Sequence, residues 1–208
     1  MINKPRQQEQ DVAPARRLKG PQRREQLLNV ATRLFAKGGF DATTTAAIAK
    51  AARVTEPVLY RHFASKQALF VAIVRRMSEQ TLQYWQEVLG DEQDPMKCLS
   101  VMGRSFPDQL KKLEAANHVL QGALASSQDR QVQAVIREHF EAVCNVLADI
   151  IKRGQEQGSI RSDLDAGTLA WQFAYIGLGY AMLAMNLKQA KIAGVNESME
   201  FMLRGLRP

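Results

Sequence analysis

Apolar residues recur along most of this chain at the spacing of helical faces. Leu27, Leu28, Ala31, Leu34 and Phe35 follow the i, i+4, i+7, i+8 pattern, which predicts a helix from Pro21 to Gly38-Gly39. Glycine tolerates positive φ and suits the end of that helix. Further helices are predicted to start at Thr44 and at Thr55, and a longer one to run from about Ser65 to Leu89. Pro95 opens another, within which Pro107 predicts a break or kink because proline removes a backbone donor. A short helix is expected over 117–126. Val132, Val135, Ile136, His139, Phe140, Val143, Leu147, Ile150 and Ile151 form a stripe of about six turns, closed by Gly154 and Gly158. The last two predicted helices are Asp165–Gln189 and Asn196–Arg204. No stretch sustains a period of two between turn residues, and no repeat of fixed length occurs. The expected fold class is all-α.

One predicted helix is unusual. From Phe173 to Met185 the string FAYIGLGYAMLAM carries no strongly polar side chain, and at 13 residues it is short of the roughly 20 needed to cross a bilayer. A helix apolar all round must be buried all round. It is therefore either a central core helix or a helix with one face on its own core and another on a partner. Gly177 and Gly179 let a second backbone approach closely, which favours the partner. The expected surface is a four-helix homodimer interface built from Tyr175, Gly177, Gly179, Met182, Met199, Met202 and Leu206.

Charge divides the chain in two. Residues 1–76 carry a net +10 and residues 77–208 a net −3, although the whole chain shows only +7. One end is suited to a polyanion and the other is not. Residues 1–20 have almost nothing to bury and read as a basic arm. Lys4, Arg6, Arg16, Arg17 and Lys19 suit either a solvated tail or contacts in a minor groove. The arm lacks the apolar run of a signal peptide, and the two cysteines, Cys98 and Cys144, lie far apart in apolar helical patterns. These features predict a cytoplasmic protein with buried free thiols and no membrane association.

The basic half contains the most specific motif. Thr44 can cap a short helix whose inner face is Ile48, Ala49 and Ala52. A tight turn follows, with Val54 directed to the core. Thr55 then caps a second short helix, with Glu56 at its positive end and Pro57 in its first turn. Leu59 and Phe63 bury one side of that helix, leaving Glu56, Pro57, Val58, Arg61 and His62 outward. Two short helices crossing over a tight turn form a helix-turn-helix, whose second helix fits the major groove.

The pieces ATRLFAKGGFDATTTAAIAKAA, RVTEP and VLYRHFASKQALF carry a resemblance. The run from Arg23 to Val74, about a quarter of the chain, resembles the amino-terminal domain of TetR-family repressors. One position departs from the pattern. The turn residue Arg53 stands where the family usually has glycine, and a left-handed backbone there costs about 1 kcal/mol without it. The resemblance implies a three-helix DNA-binding domain over 21–66 and a helical effector-binding and dimerisation domain over 67–208.

Roles follow from chemistry and from that resemblance together. Thr44 and Thr55 sit at helix starts, where hydroxyls and free N–H groups favour a phosphate. Tyr60, His62 and Lys66 are similar to family residues that clamp phosphates, contacts that make binding salt-dependent. Base reading would fall to Arg61, Val58, Pro57 and Glu56. Thr44 and Thr55 are caps in either case, Tyr60 also suits a packing role, and Glu56 also suits the helix dipole.

Behind the motif, the resemblance implies an effector pocket. Its candidate lining is Trp85, Met102, Phe106, His118, Gln121, Phe140, Cys144, Trp171 and Tyr175, each of which also suits plain core packing. Few charges and many Met and aromatic residues favour a hydrophobic or amphipathic effector, such as a fatty acyl compound or a drug-like molecule. The expected partners are a partly palindromic double-stranded operator, a second copy of the chain and a small-molecule effector whose binding displaces the fourth helix and releases DNA. Enzyme chemistry finds no support. His62, His118 and His139 form no i, i+4 pair, no Gly-rich phosphate loop or nucleophile elbow occurs, and neither a metal nor a cofactor is expected. A DNA-binding protein without an effector, or a protein-binding helical module, is compatible with the same composition.

Overall fold

The computed structural model describes residues 19–126, 128–187 and 195–208. Among them every regular element is an α-helix. In chain order these are α1 (Gly20–Gly38), α2 (Thr45–Ala51), α3 (Glu56–Tyr60), α4 (Lys66–Leu89), α5 (Pro95–Lys112), α6 (Glu114–Ser126), α7 (Arg130–Glu156), α8 (Ala166–Asn186) and α9 (Val195–Gly205). Residues Lys4, Arg6, Arg16 and Arg17 of the expected basic arm lie outside the described residues, while Lys19 is exposed at the start of α1.

Most starts are set by local chemistry. Thr44, Ser65, Asp94, Asp129 and Asp165 each accept a hydrogen bond from a backbone N–H in the first turn that follows. Thr55 occupies the N-cap position of α3, but its side chain makes no cap bond. Pro57 has no N–H of its own to offer the hydroxyl. Gly39 ends α1 at φ 78°, a region that favours glycine.

Two expectations are corrected along the chain. Pro107 neither ends nor interrupts its helix, and α5 runs through it to Lys112. The second concerns α6, which begins at Glu114, ahead of the expected 117, with only Leu113 separating it from α5. The apolar stripe of 132–151 is α7, as the spacing predicts.

Two apolar cores result. The first gathers Leu27, Leu28, Ala31 and Phe35 of α1, Ile48 and Ala49 of α2, Leu59 of α3, and Leu69, Phe70, Ile73, Val74 and Met77 of α4. Phe35, Phe40 and Phe70 meet ring to ring there, with centroids 5.3–6.4 Å apart. The same core takes in Ala116, Val119, Leu120 and Ala123 of α6 and Val132, Val135 and Ile136 of α7. The second core joins Trp85 of α4 to α5, α7, α8 and α9. Helices α4 and α7 thus belong to both cores, and α6 closes the first from behind. Arg76 of α4 also donates to Asn29 of α1 at 2.9 Å and to Thr32 at 3.4 Å, fastening the long helix to the amino-terminal bundle.

Candidate nucleic-acid interface and interior cavity

Helices α2 and α3 cross over a turn that holds a strained residue. Arg53 is the one non-glycine with positive φ among the described residues, at 55°. Its N–H donates to Lys50 O at 3.1 Å, and the next N–H, of Val54, donates to Ala49 O at 3.0 Å. The turn thereby takes the geometry that glycine adopts more readily. Ile48, Ala49, Ala52, Leu59 and Phe63 are buried, so the two helices grip each other through these side chains.

The outward side of α3 stays open. Thr55, Pro57, Tyr60 and Arg61 are exposed, and Glu56, Val58 and His62 are half-buried. No described part of the chain lies over them. Tyr60 Oη and Thr45 Oγ1 lie 3.2 Å apart, so the phenol bridges α3 to the start of α2. Thr44, exposed beside them, accepts from Ala47 N at 3.1 Å. Thr45 was not singled out in the sequence, although its place next to a capping threonine was the available signal.

Arg23 of α1, Arg53 of the turn, and Arg61 and His62 together line one shallow groove beside α3. Four side chains able to carry positive charge flank the open helix from three segments, and Arg23 was not anticipated. Arg24 stacks on Phe63, 4.8 Å from the ring centroid. Lys66 is placed differently from the open cations. Its Nζ donates to Phe40 O at 2.9 Å and Asp41 O at 3.2 Å and sits 4.4 Å from the Phe40 centroid. It ties down the loop between α1 and α2, leaving one of its three N–H groups for any outside partner.

A cavity of about 280 Å³ lies inside the second core. Trp85, Met102, Phe106 and Phe140 line it, as anticipated. Five other candidates do not. Trp171 and Tyr175 sit on the outer face of α8, their rings 5.7 Å apart, because Phe173, Ala174 and Gly177 face inward instead. Cys144 is packed in the core behind Val143 and Leu147. On α6 the wall is made by Asn117 and Leu120, which leaves His118 aside. Gln121 bridges to α8, donating to Met185 Sδ at 3.2 Å and accepting from Asn186 Nδ2 at 3.1 Å.

The polar part of the wall was missed. Thr81, Gln109, Asn117 and His139 all line the cavity. A signal existed. Thr81 interrupts the spacing Met77, Thr81, Trp85, Gln109 follows Met102 and Phe106 at i+7 and i+3, and His139 lies inside the stripe of α7. A polar residue at a core-facing position needs a partner or a purpose. Burial of His139 lowers its pKa to about 4, so the imidazole is neutral at pH 7. Desolvation likewise raises the pKa values of Cys98 and Cys144, both buried free thiols.

Helix α8 has two faces. Leu169, Ala170, Phe173, Ala174 and Ala181 are buried, while Trp171, Tyr175, Ile176, Met182 and Leu183 are exposed. Of the residues expected at a partner surface, Tyr175, Gly179 and Met182 lie on this open face. Four do not. Gly177 meets the Phe106 ring, where a Cβ would come within 3.4 Å, and Met199 fills the space above Gly103; both border the cavity. Met202 packs on the second core and Leu206 is buried in it. On α9 the open apolar residue is Phe201, 80% exposed.

Known proteins match this arrangement. A family model described as "Bacterial regulatory proteins, tetR family" matches residues 27–73, which hold both crossing helices and the first turns of α4. Those residues form a tetR-family DNA-binding domain. It is 29% identical over 158 residues to the HTH-type transcriptional repressor KstR2 of Rhodococcus jostii (strain RHA1), covering 73% of this chain and 74% of that one. It is 26% identical over 141 residues to the nucleoid occlusion factor SlmA of Marinobacter nauticus, covering 68% of this chain and 72% of that protein. The fold also matches FadR from Bacillus subtilis, solved in complex with stearoyl-CoA, with a TM-score of 0.77 at 19% identity over 88% of this chain and 99% of the other. With that domain the chain is a DNA-binding regulator, and no helix among its described residues is long and apolar enough to cross a membrane.

Proposed function

We propose that this protein represses transcription as a homodimer that sits on a partly palindromic operator and leaves it when a small molecule fills the interior cavity. The observation that carries the reading is the position of α6. Leu120 lines the cavity and also belongs to the core behind the helix-turn-helix, and Asn117 one turn earlier faces the same space. A ligand in the cavity therefore presses on a helix that is packed against α1 and α4. A ligand that fits better when α4 and α6 are displaced shifts the population toward a state with altered spacing of the two α3 helices.

In this reading Arg61, Val58, Pro57 and Glu56 meet base edges, while Tyr60, His62, Thr44, Thr55 and the cations Arg23 and Arg53 meet phosphates. Lys66 serves mainly to hold the loop and spares at most one N–H for the backbone. The exposed apolar side of α8, with Phe201 of α9, covers the partner protomer. The stearoyl-CoA in the FadR structure supports an interior ligand in this fold, and the name of the KstR2 relative supports repression.

The test is titration of the full chain onto duplex DNA from the region flanking its own gene, followed by fluorescence anisotropy with salt and competitor series. Sequence-dependent binding that weakens steeply with salt, a dimer by light scattering at micromolar concentration, and release by a cavity-binding compound are expected. Binding that is independent of sequence sinks the operator reading. Operator binding that no cavity ligand alters leaves a constitutive DNA-binding protein.

A further inference from the structure

Three polar side-chain atoms in this protein are buried without a hydrogen-bond partner, and all belong to residues that line one cavity. Among the described residues, Trp85 Nε1, Gln109 Oε1 and His139 Nδ1 are the buried side-chain polar atoms left unpaired. The three residues are 6%, 3% and 7% exposed and come from α4, α5 and α7, so three separate helices bring an unpaired group to residues of one cavity wall. Each unpaired buried group costs about 1–3 kcal/mol, and native interiors hold few of them. A cavity whose walls carry all three is unfinished without an occupant.

The chemistry of the walls limits that occupant. Indole N–H only donates, so Trp85 asks for an acceptor. Gln109 is bonded at one end, its Nε2 2.8 Å from Thr81 Oγ1, and open at the other. Turning the amide over exchanges the ends but leaves one of them unpaired. A neutral His139 has one donor and one acceptor nitrogen. Among the described residues no Asp, Glu, Lys or Arg lines the cavity, so an ionised group there meets no counter-charge from them. The rest of the wall is apolar and aromatic, with Met102, Phe106, Phe140 and Phe173 prominent. Its volume of about 280 Å³ is nearly twice that of an apolar cavity of roughly 150 Å³ that takes benzene. Two fused rings fit within such a space.

We propose that the ligand is a compact, uncharged alcohol or phenol of about two fused rings, whose hydroxyl accepts from Trp85 and donates to Gln109 or His139. This rests on the cavity being the effector site, and it names the chemistry of that effector.

Calorimetry of the full chain with 2-naphthol, naphthalene and 2-naphthoate tests it, since the three share one skeleton. The hydroxyl compound should bind about tenfold more tightly than either of the others, the equivalent of one or two net hydrogen bonds. Trp85→Phe and Gln109→Leu should each weaken 2-naphthol about fivefold relative to naphthalene on the same variant, with urea unfolding to report that the variants are folded. Naphthalene within about twofold of 2-naphthol, or naphthoate binding as well as or better than it, overturns the proposal and leaves the effector reading standing. The expected selectivity without any loss of operator affinity would instead sink the effector reading and keep the ligand chemistry. No binding by any of the three likewise overturns the proposed ligand chemistry and leaves the effector reading standing.

Discussion

The amino-terminal and carboxy-terminal halves of this regulator keep their functional groups in opposite places. Around α1–α4 the interior is filled, with Leu27, Ile48, Leu59, Leu69 and Phe70 at 0% exposure, and the side chains proposed to meet DNA, Tyr60 and Arg61 among them, stand outside. Behind them, where Trp85 of α4 meets α5–α9, the interior is hollow, three buried polar atoms of its wall residues are unpaired, and the outside of α8 is apolar. The first half presents a rigid surface to a rigid polymer. The second half holds open an internal space and an external face, both of which need another molecule to complete them. The difference separates where each half is stiff from where it can yield. A closed core transmits displacement as a body, while a hollow one changes shape when filled.

The largest expected effect tests filled against hollow. Phe70→Ala removes a ring packed on Phe35 and Phe40 and should cost about 3–5 kcal/mol in urea unfolding. Phe106→Ala removes a ring that already borders empty space and should cost about half as much. Equal costs would erase the contrast between the two cores.

Next comes the buried imidazole. Burial holds the pKa of His139 at about 4 in the folded chain, below the ordinary 6.5 of a histidine. The unfolded chain therefore takes up the proton first as pH falls. Stability due to this group is complete above pH 6.5 and is lost progressively down to about pH 4. The loss amounts to about 3 kcal/mol. Carboxylates titrate over part of the same window, so the measurement is the difference between the parent chain and His139→Phe. Parallel curves for the two proteins would mean that the imidazole is not desolvated, and a cavity ligand would then meet a wet wall.

On the opposite half, Arg61→Ala should weaken operator binding by about 1–3 kcal/mol with no change in unfolding, because the side chain is exposed. Anisotropy on operator and scrambled duplexes separates base reading, which is lost on operator alone, from phosphate contact, which is lost on both.

What the sequence revealed follows the same division. The helix-turn-helix could be read because each position is held by a local rule. Thr44 caps, Pro57 starts a helix, and Leu59 and Phe63 mark one face. The cavity could not be read in the same way, because it depends on which faces of six helices converge. Trp171 and Tyr175 were expected inside and lie outside, one helical step from Phe173 and Ala174. Gly177 and Met199 were expected at the partner surface and line the cavity instead. An all-round apolar helix conceals which of its sides is the inner one, and only its packing against α7 and α6 decides it. Pro107 misled for another reason. A proline is excluded from a helix by a local penalty, and packing on both sides can outweigh it.

The smallest effect bears on the one place where the filled half carries backbone strain. Arg53 sits at φ 55°, where a side chain costs about 1 kcal/mol relative to glycine. Arg53→Gly removes that strain but also makes the unfolded chain more flexible, at a cost of about 0.5–1 kcal/mol. The net stability change should therefore be within about 0.5 kcal/mol of zero. The same substitution takes a cation out of the groove that Arg23, Arg61 and His62 line beside α3. If Arg53 meets a phosphate, the slope of log affinity against log salt should fall by about 0.9 in magnitude, with sequence preference unchanged. An unchanged slope would mean that the arginine stands clear of the duplex, and then nothing in the structure explains a strained residue where glycine fits.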